Sequence, residues 1–169
     1  LSIFEVDGHH MVRDYSDEPF DREVLWLGQA PHDIAITPDA ALTYITDANP
    51  DRVRTAETTK PWTIGTLELE LDAARVSIAP AAIDPESLES TVPEQWSRQQ
   101  DVWFTDPQND RLIVWDHQRQ EVAGTVVLSA TPRDLQVSRD ATQVFVSCDD
   151  GTVRIVDATN RMVTDVVVD

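Results

Sequence analysis

The chain has 169 residues, of which 41% are hydrophobic, and 31 acidic residues against 13 basic ones give it a formal net charge of −18. Its length and apolar share support a domain with a core and exclude a disordered polymer. The charge excludes nucleic acid as a partner, because phosphates would meet repulsion instead of Lys and Arg.

Lys60 is the only lysine, the other cations being arginines. An acidic surface nearly without lysine fits a halophilic protein in high salt, where screening relieves self-repulsion, and equally a protein from a GC-rich genome. The single cysteine, Cys148, allows no internal disulfide and stands in a strand-like run as a small, inert core residue. The apolar runs are short and β-branched, and none reaches the ~18 residues that a membrane helix needs.

In chain order, Ile3-Phe4-Glu5-Val6-Asp7 reads as a strand ending in an acidic turn residue. His9 and His10 follow in a turn with Gly8, where adjacent side chains point to opposite sides and do not chelate one metal. Residues 16–23 form an acidic insertion carrying Phe20. Pro31-His32-Asp33-Ile34-Ala35-Ile36-Thr37-Pro38-Asp39 is an alternating strand closed by a turn, and Tyr44-Ile45-Thr46-Asp47 is an aromatic-rich second strand. Arg54, Thr55 and Ala56 stand where other copies carry Ile, Val and Trp, so a weakly packed or poorly ordered third strand is expected there. Arg75-Val76-Ser77-Ile78-Ala79-Pro80 opens the next unit, a second acidic insertion with Trp96 spans 81–100, and Trp103-Phe104-Thr105-Asp106 resumes the pattern. Pro132-Arg133-Asp134-Leu135-Gln136-Val137-Ser138-Arg139-Asp140 aligns without a gap on the segment beginning at Pro31. Val153-Arg154-Ile155-Val156-Asp157 repeats Leu112-Ile113-Val114-Trp115-Asp116.

A unit of ~40 residues with four short strands is the signature of a propeller blade. The fold expected is therefore all-β, a β-propeller fragment of four-stranded antiparallel blades, about three and a half in number. Residues 1–29 give a half blade with two strands, and 30–72, 73–129 (with the insertion 81–100) and 130–169 give three blades. Trp103, Phe145, Ile34, Ile36, Val114 and Ile155 are the expected core between blades.

Gly28-Gln29-Ala30-Pro31, the strand and turn from Ile34 to Asp39, Tyr44-Ile45-Thr46-Asp47, and Val153 to Asp157 before Ala158-Thr159 resemble the YVTN-type β-propeller repeat family. Trp103-Phe104-Thr105-Asp106 with Asn109 and Arg111 also resembles the streptogramin-lyase propeller repeat over one blade. The first resemblance implies a ring of typically seven blades. Three and a half blades leave unpaired edges, so the remaining blades are expected outside this chain. Two copies closing one ring is the other arithmetic solution.

In such a ring, ligands bind where the loops entering the innermost strands converge. His32 with Asp33, and Arg133 with Asp134, hold those positions in two blades. His32 beside Asp33 has the chemistry of a base or a metal ligand, whereas an Asp in both copies also reads as a turn residue. The loops Asp47-Ala48-Asn49-Pro50-Asp51, Asp106-Pro107-Gln108-Asn109-Asp110 and Asp149-Asp150-Gly151 are rich in oxygen. Ca²⁺ is the ion they would suit, though the same residues serve as ordinary turns, and no cofactor is predicted. No Cys-His cluster, phosphate-binding glycine loop or nucleophile elbow is present.

The function expected is a non-catalytic binding or scaffold propeller with a protein or small-molecule partner, at a periplasmic, extracellular or cell-surface location. The alternative is a propeller enzyme of lyase or lactonase type with a metal-assisted site in the channel. Phe20 and Trp96 are the expected partner-binding aromatics, on insertions that emerge on the face opposite the channel-entry loops. The competing role for both is to pin their own loops.

Overall fold

The computed structural model describes residues 4–7, 10–13, 23–26, 31–47, 52–58, 64–69, 74–79, 82–83, 90–92, 96 and 100–168. They form an all-β fold. Three four-stranded antiparallel sheets follow one another along the chain.

The first of these is β4 (Pro31–Ile36), β5 (Leu42–Asp47), β6 (Arg52–Glu57) and β7 (Ile64–Glu68), paired in chain order. The second pairs β8 (Val76–Ser77), β11 (Asp101–Asp106), β12 (Arg111–Asp116) and β13 (Glu121–Val127). The third is β14 (Pro132–Val137), β15 (Gln143–Cys148), β16 (Thr152–Asp157) and β17 (Met162–Val168). They are called the second, third and fourth blades below. Their opening strands converge, β4 and β14 both lying against β8. The closing strand β17 is the most exposed of the fourth blade. A small hairpin, β9 (Ala82–Ile83) with β10 (Ser90–Thr91), falls within the second insertion.

Residues 4–26 hold three strands rather than two: β1 (Phe4–Asp7), β2 (His10–Arg13) and β3 (Glu23–Trp26), in that order. His10 is therefore a strand residue opposite Asp7, not a turn residue.

The repeat seen in the sequence recurs as repeated geometry. Thr37 Oγ1 donates to Asp39 Oδ1 at 2.5 Å, and Ser138 Oγ donates to Asp140 Oδ1 at 2.6 Å. Each aspartate also accepts a main-chain N–H two residues on, from Ala41 or Thr142. Ala40 and Ala141 occupy the left-handed region at matching places, with φ of 54° and 61°. Two side-chain acceptors fix that conformation without glycine. The β-bulges repeat as well. The pairing of β4 with β5 skips His32, and that of β14 with β15 skips Arg133.

The expected weakness of β6 is not found. It pairs along its length with both β5 and β7. Val53 and Ala56 are buried, and Thr55 lies between Tyr44 and Gly65, where the lack of a side chain on Gly65 leaves room for the Thr55 hydroxyl. Main-chain pairing with both neighbours makes large apolar side chains unnecessary in this strand.

Of the expected core, Trp103 and Val114 are buried, Ile34 and Ile155 are partly buried, and Ile36 and Phe145 are exposed. Phe145 lies on the face of the fourth blade turned away from the third, and alternation along a strand leaves that face uncovered.

Candidate functional site

The blades have two ends, and each gathers a different chemistry. At one end lie the residues expected at the channel entry and the acidic loops. His32 is exposed on β4 at the bulge, which turns its side chain out of the regular alternation. Arg133 is exposed at the matching bulge, with its guanidinium 3.9 Å from the Asp149 carboxylate.

Asp33 and Asp134 cap their own strands in the same way. Asp33 Oδ1 accepts the N–H of Ile34 and Asp134 Oδ1 accepts that of Leu135, each at 2.9 Å. Asp33 Oδ2 also accepts the Val76 N–H of the third blade at 3.0 Å. Asp33 is thus occupied by structure, in keeping with its recurrence in both copies.

The loops after the second strands are arranged around arginines. Arg54 lies 3.9 Å from Asp47. Arg111 Nε donates to Asp106 at 2.7 Å, and Asn109 donates to both oxygens of the same carboxylate. Arg154 reaches both oxygens of Asp150, at 3.3 and 3.0 Å, and holds that carboxyl well below its ordinary range. In each blade the loop carboxylate is thereby matched by an arginine from the strand that follows. Among the described residues, no three His, Cys, Asp or Glu side chains converge. Burial pushes the Cys148 thiol up, away from the reactive thiolate.

The opposite end carries the second insertion. Trp96 is 4% exposed, with its ring tilted over His117 at a centroid distance of 6.1 Å. His117 Nδ1 shares a 2.6 Å hydrogen bond with the hydroxyl of Tyr44 in the second blade. Burial pushes the Tyr44 hydroxyl up to about 12, so it stays protonated. Trp96 also lines a cavity of about 10 Å³ with Ala79, Asp101, Trp103, Val137, Ala141 and Ala158, between the third and fourth blades. Trp96 therefore pins its insertion into the core and offers no open face to a partner, which corrects the partner-binding role for this residue. Phe20 lies outside the described residues.

A second tie crosses the same end. Arg161 donates to both oxygens of Asp101 at 3.2 Å and to the Ala123 carbonyl at 2.6 Å. Burial raises the Asp101 carboxyl above its ordinary value, against the pull of Arg161. His117, Asp101 and Arg161 escape a sequence reading because their partners lie in other blades or across the insertion. The one available signal was a polar residue beside each third-strand turn.

No protein-family model matches the chain, and no curated protein sequence does either. Similarity to solved structures is extensive. The chain superposes on hydrazine synthase from Kuenenia stuttgartiensis with a TM-score of 0.64 at 15% identity, over 82% of this chain and 36% of that one. It matches U3-55K with a TM-score of 0.64 at 10% identity, over 82% and 39%. A KlHsv2 variant, with loop 6CD replaced by a Gly-Ser linker, gives 0.53 at 17% identity, over 81% and 39%. At these identities the likeness concerns the fold alone. The chain spans less than two fifths of each of these neighbours. These neighbours are β-propellers, and the four-stranded sheets described here make the chain part of a propeller too. Among the described residues, no helix is long and apolar enough to cross a membrane.

Proposed function

We propose that the chain belongs to a non-catalytic binding propeller of the YVTN repeat type, whose partner is a protein. The second insertion is the partner platform. The observation that carries this reading is the anchoring of Trp96 within the insertion. Trp96 is buried against His117 and Trp103, and Gln100 N–H donates to the Trp96 carbonyl at 2.7 Å, so these described residues of the insertion are fixed on the blade. A seated loop loses less conformational freedom when a partner binds. The acidity of the chain selects for a basic or neutral partner surface.

The test is photo-crosslinking in the source organism. A photoreactive residue replaces Val92, which is exposed on the insertion, or Val127, which is exposed on β13 as a control. A discrete adduct formed from position 92 and not from 127 supports the platform. Adducts from neither position, or equal adducts from both, refute it.

A further inference from the structure

The opening strands of the second, third and fourth blades share one position at which the third breaks the repeat. Asp33 stands opposite Thr46 in the second blade, and Asp134 stands opposite Ser147 in the fourth. In the third, Ser77 pairs with Trp103 and Val76 with Phe104, so Arg75 holds that place beside Thr105. Two hydrogen bonds fix it there. Thr105 N–H donates to the Arg75 carbonyl at 3.1 Å, and Arg75 N–H donates to Thr105 Oγ1 at 2.9 Å. The aspartates do work that arginine cannot do. Each accepts the N–H of the residue that follows it, Ile34 or Leu135. A guanidinium has no acceptor, so Arg75 cannot cap the Val76 N–H. Asp33 Oδ2 of the second blade caps it instead, at 3.0 Å. The tie to the fourth blade is made elsewhere too, by Ser77 Oγ, which accepts the Val137 N–H at 3.1 Å. The fold works around Arg75 rather than through it.

Charge sets Arg75 apart as well. Arg54, Arg111, Arg154 and Arg161 each face a carboxylate. Arg75 is partly buried, yet among the described residues it forms no ion pair, in a chain with 31 acidic residues against 13 basic ones. Its strand β8 lies between β4 and β14, which carry the bulges at His32 and Arg133. Both of those side chains are exposed, turned out of strand alternation. Arg133 meets Asp149 at 3.9 Å, and both groups are so exposed that the pair holds it weakly. The nearby carboxylates offer Arg75 little. Both oxygens of Asp33 are taken by main-chain N–H groups. The register that aims Asp33 from β4 toward β8 aims Asp134 from β14 away from β8.

We infer that Arg75, with His32 and Arg133 on the strands beside it, forms a site for the carboxylate of a small monocarboxylic acid. The planar fork of Arg75 gives two parallel N–H bonds to the carboxylate oxygens. Arg133 exchanges its weak contact with Asp149 for the ligand and adds a second positive charge. His32 adds a ring N–H, which imidazole carries in either protonation state. A single negative charge suits this surrounding. A dianion such as phosphate would meet the fields of Asp134 and Asp149 with twice the charge. The site lies at the end of the blades opposite Trp96, so it stands or falls apart from the partner platform.

The experiment is an NMR titration of the 15N-labelled 169-residue chain, in which potassium propionate replaces potassium chloride at constant ionic strength. A parallel series uses potassium phosphate. The expected result is a saturable shift of the Arg75 Nε–H and of the amides of 74–76 with propionate, and weaker binding of phosphate. Arg75→Gln should weaken propionate binding, read at those amides, by at least about tenfold. Arg75→Lys should fall between the two, because an ammonium keeps the charge without the fork. Arg119→Gln, at an exposed arginine of the opposite end, should leave binding unchanged. Amide spectra preserved away from β8 show that each variant is folded, and if Arg75→Gln is not, Arg75→Lys carries the test with a loss of at least about threefold. No saturable shift in the unaltered chain overturns the inference. So does an affinity that survives both Arg75 variants, or one that Arg119→Gln lowers as much as they do. Phosphate binding more tightly than propionate overturns the assignment to a monocarboxylate.

Discussion

Asp39 and Asp140 show how a short side chain replaces glycine in a recurring turn. Burial pushes the Asp39 carboxyl up, but hydrogen bonds from Thr37 and the Ala41 N–H outweigh it, and the group ends below its ordinary value. Hydrogen bonds from Ser138 and Thr142 lower Asp140 in the same direction. A carboxyl whose value is lower in the folded chain than in the unfolded one stabilises the fold above the unfolded value. That contribution is lost as pH falls toward the folded value. Thermal midpoints followed from neutrality to acid should therefore drop below about pH 4, and Asp39→Asn with Asp140→Asn should flatten that drop. An unchanged acid limb in the double variant would show that other carboxylates dominate.

The aromatic series Tyr44, Trp103, Phe145 makes a second prediction at this scale. Trp103→Ala should destabilise the chain by about 3–5 kcal/mol in urea unfolding, because it opens a cavity against the fourth blade. Phe145→Ala in the same 169-residue chain should cost clearly less, since its ring is already partly in water.

Strands in this chain are held by their main chains, and blades are held to one another by a few specific side chains. Asp33 joins β4 to β8, Arg161 joins the β16–β17 turn to β11, and Tyr44 with His117 joins β5 to the β12–β13 turn. Asp33→Ala strands the Val76 N–H between two blades and should cost about 1–3 kcal/mol. Trp96→Ala should act differently. It leaves the blades paired but frees the insertion, so limited proteolysis should cut within 81–100 well before the remainder. If both variants lower stability and shift no cleavage site, Trp96 is a core residue and nothing more.

Across the whole molecule, net charge acts against the compact state. With −18 on 169 residues, self-repulsion opposes compaction. Salt shortens the range of that repulsion, to about 3 Å at 1 M. The thermal midpoint should rise steadily from dilute buffer to molar KCl, and reversing several surface aspartates to lysine should weaken the dependence. A midpoint insensitive to salt would mean that the Asp–Arg pairs at the loop end already neutralise the charges that matter.

The amino-acid sequence by itself determined the class of fold. Gapless copies of Pro31–Asp39 and Tyr44–Asp47 carry period-two alternation and turn residues at constant spacing, and these are local properties that a chain cannot hide. It left Asp33 and Asp134 open between a ligand-binding and a turn role, since a residue that recurs with the fold fits either. The third strand at 4–26 and the sound pairing of β6 were illegible, since main-chain hydrogen bonds leave little trace in side-chain pattern. Only the tertiary structure decided which aromatics are covered. Tyr44, Trp103 and Phe145 are equivalent in sequence, yet two are buried and one is open. Burial between blades depends on what the neighbouring blade brings, and no residue carries that information within its own strand. Trp96 and His117, far apart in the repeat pattern, meet for the same reason: neither residue's strand pattern specifies its partner.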